Sequence, residues 1–302
     1  MKVNGKSNIW IYAAILAVSL LTALAVSQVF YVEDNEPTAD YILFYENAVA
    51  KPKEYCFNGN TYSDGSLNVR CYSETMEIDG RAVTVNFADV QVSSSDQLRT
   101  AFAGGRWKSA IRSSVTEIAW ENNAVVAVNG DNAYDGVVIS NGSVLSCEPK
   151  GIDLLLVDSN GDFVIFNDEE FVNEGLHDSG EYSQSFGFGP VLTQNGEVNI
   201  GERSVSCLRN SAKARTAIGQ TGERNYLLCT VEKSSDSAGV TIEQLAQIMQ
   251  SKGCVTSYNL CGGRQSDMSF HDMRFGGKSA EPAVGNILYF ASAEKEAESY
   301  VE

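Results

Sequence analysis

Histidine is almost missing from this chain of 302 residues: there are two, His177 and His271, each isolated in the sequence. A histidine-rich metal site is therefore excluded. No Cys-x-x-Cys pair and no zinc-type Cys/His spacing occurs among the seven cysteines. Positive charge is also scarce. The 22 Lys and Arg face 39 Asp and Glu, a formal net charge of −17. No basic stripe is visible, so no nucleic-acid partner is expected. The acidity fits solubility outside the cell. No linker or composition shift marks an internal boundary within 76–292.

One long apolar run is present. Residues 9–32 are apolar and nearly uncharged, long enough to span a bilayer. Lys2 and Lys6 precede them, and Glu33, Asp34 and Glu36 follow. The positive-inside bias then puts 1–8 in the cytoplasm and the rest of the chain outside. The rival is a cleaved signal peptide, for which Ala25-Val26-Ser27 is a tolerable site. Length favours the uncleaved anchor. Either way the expectation is an exported domain, held at the cell membrane by a single span or secreted. The segment 33–75 reads as a β-rich juxtamembrane stretch, 76–292 as the main domain and 293–302 as an acidic tail.

Outside the cell, cysteines pair. Cys56 and Cys71 flank an Asp64-Gly65 turn, as in a hairpin that a disulfide could staple. Cys254 and Cys261 bracket a strand-like run of roughly 23 Å, too far for a bond needing Cα atoms within about 7 Å. Cys229 sits in the apolar run YLLCTV and reads as a core thiol; Cys147 and Cys207 are left as candidate partners.

The chain is organised around 255–266, VTSYNLCGGRQS, a strand-like run that breaks into a glycine turn. Before it, Ile242, Leu245, Ala246, Ile248 and Met249 recur at helical spacing over 241–252. Thr241 with Gln244 fits a capping box, and Gly253 fits a helix stop. The stretch 109–129 repeats this grammar: Ile111, Val115, Ile118 and Ala119 on a helix, then AVVAVN ending in Asn129-Gly130-Asp131. Both strands are apolar, as strands buried on both faces are. In open α/β sheets ligands collect at the carboxyl ends of such strands, so Asn129, Asp131, Asn259 and 262–266 are expected to share one pocket. Ordinary strand-to-loop turns are the plain alternative.

The remaining pattern is rich in hairpins. Asn-Gly turns fall at 141–142, 160–161 and 195–196, each between apolar runs. Strands are expected near 217–219, 226–231 and 286–290, and a short helix over 97–103. The predicted fold is α+β: one domain with a mixed twisted sheet, packed helices and several β-hairpins, preceded by an N-terminal transmembrane helix.

Six stretches carry a resemblance. They are QLRTAFAGG at 97–105, NNAVVAVNGDNAY at 122–134, VVISNGSVL at 137–145, FGFGPVLTQNGEV at 186–198, ARTAIG at 214–219 and GVTIEQLAQIMQSKGCVTSYNLCGG at 239–263. In this order they resemble the phosphodiester glycosidase family, over roughly 76–292. The resemblance implies a mixed sheet with packed helices. It also implies a site built from four turns. The family's Asn-Gly-Asp turn falls on Asn129, Gly130 and Asp131 and is intact. Its Pro-Arg-Thr-Ala-Ile-Gly stretch keeps Arg215 and Thr216 but loses the proline. Its Asp-Gly-Arg turn falls near Glu232-Lys233-Ser234. Its Asn-Leu-Asp-Gly-Gly-Gly-Ser turn falls on Asn259 to Gln265, with Cys261 in place of the Asp and Arg264 in place of the third Gly; Ser266 is placed to supply the hydroxyl.

Two functions follow. The first is a surface-anchored glycosidase hydrolysing sugar-1-phosphodiester links in envelope or exopolysaccharide glycans. Asp131 and Glu232 would supply the acid/base pair such cleavage generally needs. Arg215 and Arg264 would hold the phosphodiester, with Thr216, Asn259 and backbone N–H groups at Gly262 and Gly263. For Arg215 the plain alternative is a salt bridge that fastens the sheet, and for Glu232 a solvated strand end. The second function is a catalytically degenerate member that binds glycan phosphates or acts as an envelope assembly factor. The loss of the Asp at Cys261 motivates it, because a thiol replaces a carboxylate only if its pKa is strongly depressed. No cofactor is certain; Asp131, Asn132 and Asp135 are candidate Ca²⁺ ligands.

Overall fold

In the long strands Leu67–Ile78 and Arg81–Val92 every second residue points the same way, and this alternation decides the architecture. They pair over their full length around Asp79-Gly80, where both residues have positive φ, as a two-residue hairpin with the twist of its strands requires. They enter a nine-stranded sheet in the order 56–57, 61–63, 67–78, 81–92, 225–231, 215–222, 256–260, 191–194, 197–198. A five-stranded sheet runs 273–274, 268–270, 126–129, 286–290, 98–102. The computed structural model describes residues 54–132, 135–205, 208–277 and 280–293.

The two sheets face each other. Val90, Ile218, Leu228 and Leu260 of the larger sheet share one core with Val126, Val128, Leu288 and Phe290 of the smaller. The alternate residues point outward, and a helix covers each outer face. Helix α3 (Ile242–Ser251) buries Leu245, Ala246 and Met249 against Val85, Ala217 and Cys229. Helix α1 (Val115–Glu121) buries Val115, Ile118 and Ala119 against Ala127, Ile287 and Tyr289. The layers run helix, sheet, sheet, helix. A smaller three-stranded sheet (153–158, 163–167, 182–186) packs under helix α2 (Asp168–Asn173).

Several expectations change. The chain is mostly β with few helices, and among the described residues every ladder is antiparallel, so the sheet is not mixed. The strands of the two helix–strand units go to different sheets and are never neighbours. The helix expected over 97–103 is the strand Leu98–Phe102, paired with Asn286–Phe290. Tertiary pairing overrides a weak helical preference there. The first helix starts at Val115 rather than 109, because Ser113–Ser114 pairs with Ala283–Val284 and Ser114 caps the helix through the Glu117 N–H at 3.1 Å. The boundary drawn at 75/76 falls inside Leu67–Ile78.

The hairpins at 137–147, 153–167, 191–198 and 215–231 form as expected. The Cys56–Cys71 staple does not: both are free thiols. Cys56 lies opposite Ser63, which lies opposite Asn68, so Cys71 is two strands and three residues away. That is roughly 13 Å, beyond disulfide reach. Cys147 is also a free thiol, and Cys207 lies outside the described residues. The apolar stretch 9–32 lies outside them too; within them no helix is long and apolar enough to cross a membrane.

Candidate active site in the gap between the sheets

The inner layer is apolar at Ala88, Val90 and Leu228 but turns polar toward one end, at Asn86, Thr216 and Thr230. There the layer opens into a cavity of about 730 Å³. Its wall carries two carboxylates, Glu232 and Asp267, and four cations, Lys213, Lys233, Arg264 and Arg274. An excess of cations in a chain of net charge −17 is local and deliberate in effect: it focuses a positive potential into a low-dielectric cleft.

Glu232 is oriented by two donors on one oxygen. Its Oε1 accepts from Asn86 Nδ2 at 3.1 Å and from the Gly277 N–H at 2.8 Å. No partner for Oε2 is found among the described residues. The Gly277 contact depends on the turn at Gly276-Gly277. Both have positive φ, and a Cβ on Gly276 would lie 2.3 Å from the Asn86 amide. Asp267 is buried and held by Arg274, whose Nε donates to both carboxylate oxygens at 2.8 and 3.1 Å. Burial raises the Asp267 pKa above the usual carboxylate range, against the pull of Arg274. Lys233 Nζ donates to the carbonyls of Ala212 and Ala238. Arg264 stands exposed at the rim, with no partner found among the described residues.

Behind the cavity the two predicted turns meet through a knot of hydrogen bonds. Asn129 Oδ1 accepts from Thr216 Oγ1 at 2.7 Å and from the Asp267 N–H at 3.2 Å, while its Nδ2 donates to the Cys261 carbonyl. Thr216 Oγ1 also meets Ser266 Oγ at 2.9 Å, and Ser266 Oγ donates to the Arg215 carbonyl at 2.7 Å. Asn132 Nδ2 reaches Cys261 Sγ at 3.0 Å and Gln265 Oε1 at 2.8 Å. One buried side chain, Asn129, thus ties the ends of both sheets together.

Not every predicted residue faces the cavity. Glu232, Gly263, Arg264 and Ser266 line it; Asn129, Gly130, Asp131, Arg215, Thr216, Asn259, Cys261 and Gly262 do not. Asp131 is buried, with Oδ2 accepting the Gly187 N–H at 2.7 Å and Oδ1 accepting Asn286 Nδ2 at 2.9 Å. It braces loops instead of facing Glu232. Arg215 is buried, and its guanidinium donates to the carbonyls of Leu208, Ser211 and Val240. Asn259 Nδ2 donates to the Gly189 carbonyl at 2.7 Å. The Cys261 thiol is pushed up to about 12 by burial and then by the Asp131 charge, so it stays protonated and is no substitute for a carboxylate.

The glycines also serve packing. Gly262 lies against the backbone of the adjacent segment, where a Cβ would come within 2.8 Å of the Ala214 carbonyl. The Gly263 N–H donates to that carbonyl at 2.8 Å and is not free for a ligand. A Cβ on Gly130 would meet the Asn286 side chain at 2.6 Å. The proposed Ca²⁺ ligands do not converge either: Asp135 pairs with Lys150, and Asn132 donates to Cys261 and Gln265. Among the described residues no cluster of acidic, Cys and His side chains is suited to a metal. Sequence reasoning missed Asn86, Lys213, Asp267, Arg274 and Gly277. Only Asn86 left a signal, as a polar residue at an inward position of an alternating strand.

Comparison with known proteins bears on the family and the fold. The family model for phosphodiester glycosidase matches residues 117–291. The catalytic domain of zebrafish N-acetylglucosamine-1-phosphodiester alpha-N-acetylglucosaminidase, auto-inhibited by its pro-peptide, superposes with a TM-score of 0.63 at 17% identity, covering 79% of this chain and 88% of that one. A hypothetical protein from Synechocystis superposes with a TM-score of 0.55 at 14% identity, covering 74% and 62%. Among curated proteins, the SPbeta prophage-derived uncharacterized protein YomE of Bacillus subtilis (strain 168) is 24% identical over 170 residues, 51% of this chain and 26% of that protein. The chain thus spans about a quarter of that relative's length. On the family match, which takes in more than half of its residues, the chain belongs to the phosphodiester glycosidase family.

Proposed function

We propose that this chain hydrolyses sugar-1-phosphodiester links in an envelope or exopolysaccharide glycan, from a position at the cell surface set by residues 9–32. The observation that carries this reading is the cavity, where Glu232 stands among Lys213, Lys233 and Arg264. Phosphodiester cleavage at an anomeric carbon needs cations for the phosphate and a carboxyl group to move a proton. Arg264, exposed at the rim and with no partner found among the described residues, binds the phosphodiester oxygens as a planar fork. Glu232, held on the cavity wall through Oε1, is the acid/base group. Asn129 and Thr216 hold the wall in place from behind, and Ser266, which lines the cavity, is fixed by Thr216 and the Arg215 carbonyl.

The test is turnover by the full chain of a sugar-1-phosphodiester with a chromogenic aryl group. Glu232→Gln should lower kcat by about 10²–10⁴-fold, the range for loss of a general acid or base, with binding retained. Undiminished turnover in that variant would remove Glu232 from the mechanism. A second reading, a non-hydrolytic glycan-phosphate binder, is favoured by one observation: Asp131 is committed to Gly187 and Asn286, and Cys261 stays a thiol. Saturable binding of the same compound by the wild type, with no sugar released, would decide for it.

A further inference from the structure

A long run without a carboxylate in this acidic chain adjoins the cavity wall through one strand pair. Residues 97–116 hold Arg99, Arg106, Lys108 and Arg112 and no Asp or Glu. At the end of this run Ser114 pairs with Ala283, a residue of the cavity wall, and Ser113 pairs with Val284. The loop 104–112 is therefore carried on the same edge as the cavity mouth. Arg106, Lys108 and Arg112 are all exposed. The loop is also built rather than slack. Gly104 and Gly105 bend it with positive φ, and Ile111 folds back onto Gly104, where a Cβ would lie 2.8 Å from Ile111 Cδ1. Arg112 Nη1 donates to the carbonyls of Ser109 and Ile111, and Lys108 Nζ lies 4.5 Å from the centre of the Trp107 ring.

We propose that this loop is a second anionic subsite, and that the substrate is a glycan polymer with repeated phosphodiesters rather than a single sugar phosphate. The proposal rests on the functional reading above and extends it. A polyanion is repelled by a protein of net charge −17 unless cations line its path within a Debye length, about 8 Å at physiological salt. The cavity holds one linkage among Lys213, Lys233 and Arg264; Arg106, Lys108 and Arg112 hold phosphates of neighbouring repeats. Half-buried Trp107 offers a ring beside them for a sugar face. An anionic membrane is the poorer match, because an interfacial element buries a broad apolar face, and beside its three cations this loop exposes a single large aliphatic side chain, Ile111, 47% exposed and partly packed on Gly104.

The experiment compares the full chain with a double variant, Arg106→Gln with Lys108→Asn. Asn suits position 108, whose φ is +55°. Binding is measured by calorimetry over a range of salt, with a synthetic linear poly(glycosyl-1-phosphate) and with a single glycosyl-1-phosphodiester. The double variant should bind the single unit as the wild type does. For the polymer it should lose affinity, and its slope of log K against log salt should be shallower by about 1.4, the value for two phosphate contacts on a flexible single-stranded polyanion. Equal polymer affinity and slope in both proteins would overturn the proposal. Loss of affinity for both ligands alike would also overturn it, since the residues would then act on the cavity. Binding to phosphatidylcholine vesicles containing phosphatidylserine, lost in the double variant, with no binding to polymer, would replace the glycan by a membrane. Polymer held through the loop but never cleaved would support this subsite and sink the glycosidase reading alone.

Discussion

Cys261 occupies the place where the family resemblance implies an aspartate, and its surroundings say what the exchange costs. The thiol is buried, contacts Asn132 and Gln265, and feels the charge of Asp131. The causes that push the thiol to about 12 would also raise a carboxyl placed there, since burial and a like charge both favour its neutral form. The sign follows. A carboxyl with a folded pKa above its unfolded value binds more protons when folded, so its stability contribution is best in acid and falls as pH rises through the folded pKa. We therefore expect Cys261→Asp to be destabilised by about 1–3 kcal/mol at neutral pH, to recover part of that near pH 5, and to gain no activity. Urea midpoints across pH, with the hydrolysis rate, check this. A faster variant would mean that the thiol stands in for a lost carboxylate. The sequence made Asp131 and Arg215 conspicuous, but a residue type does not reveal which partners it has already satisfied.

Elements were legible where the pattern was long and capped. Helix α3 has its apolar face at 242, 245, 246, 248 and 249, and both halves of the box form: Thr241 Oγ1 accepts the Gln244 N–H at 3.2 Å, and Gln244 Oε1 accepts the Thr241 N–H at 2.9 Å. Thr241→Ala should cost about 1 kcal/mol, read as a lower urea midpoint with an unchanged m-value; a changed m-value would point to wider disruption. The Asn-Gly hairpins were legible for the same local reason, since their turns require positive φ at Asn141, Asn195 and their glycines. The strand Leu98–Phe102 was not. Its identity comes from a partner nearly two hundred residues away in sequence, Asn286–Phe290, and from Thr100 Oγ1, which bonds Ser140 and Gln184.

The whole molecule depends on a core that runs from Tyr62 and Leu67 to Phe290 across both sheets. A fragment starting at residue 76 would lose Tyr62, Leu67, Val69 and Cys71, all buried. At about 2 kcal/mol for each large apolar side chain the loss rivals a typical total of about 5–15 kcal/mol. We expect 76–302 to show no cooperative unfolding by circular dichroism, while 54–302 does; a sharp transition in the shorter fragment would mean that the first strands are dispensable. What the sequence determined by itself was local or compositional: the acidity, the capped helix, the hairpins, the apolar strands and the family to which the chain belongs. Each of these is written in neighbouring residues. Tertiary structure alone decided that the two helix–strand units serve different sheets, that Asn129 joins them, and that Glu232 looks into a cation-lined gap while Asp131 does not. Those outcomes depend on contacts between residues far apart in the sequence, such as Asp131 with Asn286, which are 155 positions apart. No local pattern specifies which distant partner will claim a side chain first.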